Sequence, residues 1–158
     1  MNVWAALAGG FVGTLVLTTI LRGASELRWT RIDLPFLLGT MVTTDRKRAK
    51  AIGYVMHFVF GLSFALGYLV ILTAIGRSGW LAGAVLGVLH AAFAGTALVN
   101  VLLPVVHPRM GDASTGANRV ALLETPGFLM LNYGPATPVV MLVAHIAYGA
   151  IVGGFIAM

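Results

Sequence analysis

The chain has no cysteine. That excludes a disulfide, a thiolate metal site and a cysteine nucleophile. Charge is nearly as scarce. Asp, Glu, Lys and Arg make up 9% of the 158 residues, against about 25% in a soluble domain. With 59% hydrophobic residues and a mean hydropathy of +0.94, lipid is the solvent this surface suits. Reaction signatures are missing too: there is no nucleophile elbow, phosphate loop, HExxH or dinucleotide fingerprint. Ser63 has no base within its own turn. The first ten residues hold no Lys or Arg, and the apolar run continues to Leu21, which predicts a retained span rather than a cleaved leader. The pI of 10.3 does not point to nucleic acid. Seven of the ten cations lie between positions 22 and 50, beside expected membrane ends, where anionic lipid headgroups are the natural partners.

What is present is four apolar stretches of spanning length: 3–21, 51–75, 80–103 and 138–157. Each is expected to be helical, because lipid offers backbone groups no hydrogen-bond partners. Gly76-Arg77-Ser78-Gly79 reads as a tight turn, making spans two and three antiparallel neighbours. The connection 22–50 holds seven cations, 104–137 holds Arg109 and Arg119, and the turn holds only Arg77. The positive-inside rule then places both long connections in the cytoplasm and both termini outside, in a bacterial inner membrane. Stretches 33–42 and 121–134 are too apolar for solvated linkers and too short to span, so they are expected to be interfacial or re-entrant, with Pro35 and Pro126 shaping them. The run 45–50 reads as a headgroup anchor, and 112–119 as an exposed polar loop.

The halves resemble each other. "LAGGFVG" from Leu7 matches "LAGAVLG" from Leu81, "DLPFLL" from Asp33 matches "ETPGFLM" from Glu124, and "HFVFG" from His57 matches "HIAYG" from His145. Three matches in one order predict a two-plus-two parallel repeat about an axis along the membrane normal. The fold expectation is therefore an all-α integral membrane bundle of four transmembrane helices with two short interfacial or re-entrant segments. Gly9/Gly13, Gly83/Gly87 and Gly149/Gly153 carry the spacing that lets membrane helices approach closely.

The repeat sorts the histidines. His57 and His145 are equivalent and equally deep, about 9–11 Å from the cytoplasmic side by helical rise. Each has an aromatic residue at i+3 and a glycine at i+4. His90 aligns with Val16 and is expected about 10 Å further out, too far to share one metal with the pair. Asn100 is nearer their level. Haem b or a transition-metal ion between His57 and His145, with His90 or Asn100 secondary, is one reading. Proton or substrate handling is a second. Neutral histidines hydrogen-bonded between helices is a third. Asp33 and Glu124 either cap short helices or orient the imidazoles from the cytoplasmic mouth. His107, between Pro104 and Pro108, is expected at the interface.

With "DLPFLLG", "HFVFGLSFALGY", "HAAFAGTALVNVLLPVVHPRMG" and "HIAYGAIVGG" in place, the chain resembles a group of small bacterial four-span membrane proteins catalogued as a domain of unknown function. The resemblance covers nearly the whole chain. It implies a Pro-containing segment after span one and one histidine in each of spans two, three and four: His57, His90 and His145. It implies no activity. The connection 105–131 is longer than the group's. The functional expectations are a haem- or metal-binding accessory subunit, a small transporter or channel subunit, or an assembly factor, in contact with the bilayer and forming a homo-oligomer or joining a larger complex.

Overall fold

The computed structural model describes residues 2–109 and 123–158, so the polar stretch 112–119, with Arg119, lies outside the described residues. Among the described residues there are six α-helices: α1 (Val3–Glu26), α2 (Leu34–Gly39), α3 (Arg46–Ala74), α4 (Trp80–Phe93), α5 (Leu103–Val106) and α6 (Thr137–Ile156). A π-helical segment, Ala94–Leu102, joins α4 to α5, and a 3₁₀ segment, Phe128–Tyr133, precedes α6. Four helices among the described residues are long and apolar enough to cross a membrane: Val3–Glu26, Arg46–Ala74, Trp80–Val106 and Thr137–Ile156. The chain is an all-α, multi-pass bundle.

Local chemistry sets the ends. Asn2 and Asp45 cap α1 and α3 by accepting the amides of Trp4 and Arg48. With Asp45 as the cap, the basic run 46–50 becomes the first turns of α3 instead of a loop before it. At the other end of α3, the Arg77 amide donates to the Leu72 carbonyl and that of Gly76 to Thr73, with Gly76 left-handed at φ 63°. This is the Schellman stop, and glycine adopts it without steric cost.

Pro104 explains the π segment. Proline lacks an N–H, and its ring collides with the carbonyl one turn back. A wider helix relieves that collision. Within the π segment, Asn100 Nδ2 donates to the Gly95 and Thr96 carbonyls at 3.1 and 2.9 Å. Local π adjustment with a side-chain donor keeps such a bend tolerable in lipid.

Glycine decides which helices touch. Along α4 and α6, Gly83 faces the Gly149 carbonyl and Gly87 the His145 carbonyl, so any side chain there would meet backbone. The Gly79 amide donates to the Gly153 carbonyl at 3.1 Å, closing this antiparallel pair at its far end. α1 lies on α6 through Gly9 and Gly13, and on α3 through Gly10 against Ala65 and Thr14 against Gly61. The backbones of α3 and α4 barely meet. Contrary to expectation, the tight turn joins two helices that then diverge, because each has a closer partner elsewhere. The repeat pairs α1/α6 with α3/α4, but the first of these contacts is extensive and the second slight.

The short segments close one end. Asp33 caps α2, whose Gly39 and Pro35 lie against Ala49 and Gly53 of α3. Thr30 and Thr137 share a buried hydroxyl hydrogen bond of 2.7 Å, and the Arg31 amide donates to the Tyr133 carbonyl at 2.7 Å. The Tyr133 hydroxyl donates to the Glu124 carbonyl, and burial, reinforced by the Glu124 charge and opposed by Arg31, pushes it up to about 12. His107 is 3% exposed, and its Nε2 donates to the Leu37 carbonyl at 3.1 Å, pinning α5 to α2. Only the burial demanded by α2 could have revealed this.

The glycine contacts give a direct test. Gly149→Val drives a branched side chain into the Gly83 backbone and should cost at least about 1–3 kcal/mol. Gly67→Ala, with nothing within 4 Å of the added methyl, should leave the melting temperature unchanged or raise it. Thermal unfolding in detergent micelles reads both.

Candidate functional site

One stripe of α3 carries Lys50, Tyr54, His57, Gly61, Phe64 and Tyr68, spaced three or four residues apart. It begins charged and turns apolar. Opposite its middle lies a cavity of about 270 Å³, in the gap that α3 and α4 leave open. Apolar side chains from every long helix line it, with α2 and Met130 closing one end. Its polar side chains are Thr14, Tyr148 and three histidines: His57, His90 and His145. No carboxylate lines it, so an imidazolium there would lack a counter-ion.

The expected depth of His90 is overturned. Its ring centroid lies 4.7 Å from that of His145, nearly perpendicular at 79°. That expectation takes spans three and four to end level. Instead, Gly87 lies opposite the His145 carbonyl, and further along the span Gly95 lies against Leu129. The last turns of span three therefore run past the start of α6, beside the 3₁₀ segment. His90 also stacks on Phe64 at 4.1 Å, and its Nδ1 lies 3.4 Å from the Tyr68 hydroxyl.

The three imidazoles are not alike. His145 Nδ1 lies 2.8 Å from the Met141 carbonyl. A carbonyl only accepts, so Nδ1 carries the proton, and in the neutral ring Nε2 carries a lone pair. His57 Nε2 is buried without a hydrogen-bond partner. The residue is 8% exposed and lines the same cavity as His145. An unsatisfied buried polar atom costs about 1–3 kcal/mol. Tyr148 is 2% exposed and satisfied: its hydroxyl donates to the Gly61 carbonyl at 2.5 Å.

Other expected site residues lie elsewhere. Asn100 is exposed and engaged with its own helix, so it does not join the pair. Asp33 accepts the Phe36 amide at 3.1 Å and meets Lys50 Nζ at 3.0 Å, so it caps a helix and orients no ring. Glu124 meets Arg31 at 3.4 Å beside Tyr133, away from the histidine cavity. The partner that orients His145 is a backbone carbonyl one turn back, which no search for acids would find. Among the described residues, no group of three or more His, Cys, Asp or Glu is gathered to hold a metal ion. The volume lies below the roughly 300–1,000 Å³ of ordinary ligand pockets, too small for a porphyrin.

A second cavity of about 150 Å³ lies on the other side of His57, between α1, α2 and α3. It is polar, lined by Arg22, Glu26, Asp33, Lys50 and Tyr54, and it shares only His57 and Leu34 with the first. From sequence, the cations are expected at a membrane end, and of these residues only Asp33 is linked there to a histidine.

In ¹⁵N-labelled protein, the His145 ring should show a protonated Nδ1 and a bare Nε2. A protonated Nε2 in the neutral ring would contradict the assignment. No family model, curated protein or solved structure matches the chain.

Proposed function

We propose that this protein binds a small lipid-soluble ligand within the bilayer and holds the ligand's hydrogen-bonding group between His57 and His145. The observation that carries this reading is the buried, partnerless Nε2 of His57, a residue that lines a largely apolar cavity. A ligand hydroxyl would donate to the lone pair on His145 Nε2 and accept from the His57 ring. Phe60, Leu102 and Val106 line the cavity and are also surface-exposed, so its rim lies on the apolar flank. The ligand would arrive sideways from lipid through the gap between α3 and α4. Beyond Tyr148, Leu72 and Val152 are fully buried and fill the bundle, which suits binding better than passage. We place the protein in a bacterial inner membrane with both termini outside, on the charge asymmetry of its connections. It would act as a homo-oligomer or as an accessory subunit.

A metal ion between His57 and His145 is the second reading, favoured by the bond from His145 Nδ1 to a carbonyl, which is how metal-bound imidazoles are oriented. It would draw its remaining ligands from water.

The probe is 4-decylphenol, an apolar chain ending in a hydroxyl, with dodecane as control. Decylphenol should raise the melting temperature of protein in detergent. His57→Ala or His145→Ala should weaken binding about tenfold, since one hydrogen bond is worth about 1–1.5 kcal/mol. Ala94→Phe, which fills the cavity, should abolish it. Stoichiometric metal that is lost in both histidine variants, without any response to decylphenol, would establish the metal reading instead. Neither result leaves the histidines as packing groups.

A further inference from the structure

His57 forms part of the partition between two chemically opposite spaces. On one side is the apolar cavity; on the other is the polar vestibule of Arg22, Glu26, Asp33, Lys50 and Tyr54. The α1/α3 ladder explains the arrangement. Thr14 faces Gly61, so one turn on Thr18 comes level with His57, and a further turn on Arg22 meets Tyr54. Along both helices the lining thus changes from apolar to charged at the same height.

The vestibule has hydrogen-bond donors to spare. Arg22 Nη1 donates to the Tyr54 hydroxyl at 3.2 Å, and Nη2 meets Glu26 at a long 3.5 Å. A guanidinium has five N–H donors, and an ammonium three. Lys50 meets only Asp33, at 3.0 Å. Both ion pairs are solvent-exposed, and exposed pairs are worth about 0–1 kcal/mol, so either cation can exchange its carboxylate for another anion at little cost. Positions 22–50 carry seven cations against three acids, a net of four positive charges. The surrounding field therefore favours an anion.

We propose that the ligand is a single-chain anionic amphiphile. Its carboxylate or phosphate head lies in the vestibule between Arg22 and Lys50. Its one chain passes His57 into the apolar cavity, whose volume suits one chain and not two. The His57 ring turns aside at the partition and its orphaned Nε2 meets the head. The proposal rests on the reading above that the apolar cavity takes a ligand, keeps His57 as the contact to the ligand's polar group, and puts that group on the vestibule side of His57 instead of between His57 and His145.

The test compares dodecanoate, dodecyl phosphate, dodecan-1-ol and inorganic phosphate on the full chain in a non-ionic detergent, read by thermal shift and equilibrium dialysis. Dodecanoate and dodecyl phosphate should bind at least tenfold more tightly than dodecanol, with the preference falling as salt is raised. In Arg22→Gln/Lys50→Gln the preference should vanish while dodecanol affinity stays, and Arg22→Lys/Lys50→Arg should retain it. Equal binding of dodecanol and the anions, or a preference that survives the double Gln variant, would overturn the head assignment and leave the cavity reading standing. Inorganic phosphate binding as well as dodecyl phosphate would overturn the amphiphile and mark a free-anion site. Failure of all the chain-bearing probes, with no effect of Ala94→Phe, would sink the cavity reading itself.

Discussion

The approach of α4 to α6 is the contact on which the site depends. In a bilayer, lipid tails solvate side chains as well as a neighbouring helix does, so association comes from packing of atoms that can come close. Glycines 83, 87, 149 and 153 bring the two backbones together along that seam. α4 is tied to α3 by a short turn, yet it packs along α6. α3 is held by α1 through Gly10 and Gly61. The two helices joined by the turn are pulled to opposite sides of the bundle. Phe64 and Tyr68 reach across the gap to His90, and the space below them is the cavity.

Polar satisfaction around that gap is nearly complete, which makes the exception informative. Tyr148 gives its proton to the Gly61 carbonyl, His145 gives its own to Met141, and Asn100 donates to the Gly95 and Thr96 carbonyls of its own helix. His107 is bonded through both ring nitrogens, one to the Leu37 carbonyl and the other to the Arg109 amide. His57 Nε2 is the one buried side-chain atom among the described residues left without a partner. Its position between a polar and an apolar space is where a ligand with both characters would complete it.

Much of the architecture was legible. Apolar length and the scarcity of charge marked four spans, and Asp33 before Pro35 marked a short capped helix. The small-residue spacing named the seams, and Gly61 and Tyr148 were read on the faces of His57 and His145. What failed was vertical register. Counting depth from expected span ends assumed level ends, whereas level is set by which glycine lies opposite which carbonyl. Gly87 against the His145 carbonyl brings His90 beside His145, and Asn100 is engaged with carbonyls of its own helix. The vestibule escaped notice because Arg22 and Lys50 are 28 positions apart and meet only through the α1/α3 ladder.

Why an imidazole at position 57 follows from its neighbours on the stripe. Lys50 and Tyr54 precede it in the polar space, and Gly61 and Phe64 follow it in the apolar one. A phenylalanine there would seal the partition but offer nothing to a polar group on either side. A lysine would carry a charge into a cavity without a carboxylate. A serine or threonine would satisfy itself on the carbonyl one turn back, as Ser63 and Thr14 do. The ring of histidine is flat enough to serve as wall, and its nitrogens, one a donor and one an acceptor when neutral, lie too far from its own backbone carbonyl for a bond like that of a hydroxyl unless the rotamer selects Nδ1. His145 makes that choice and closes on Met141. At His57, the buried Nε2 is left for something that is not part of the helix.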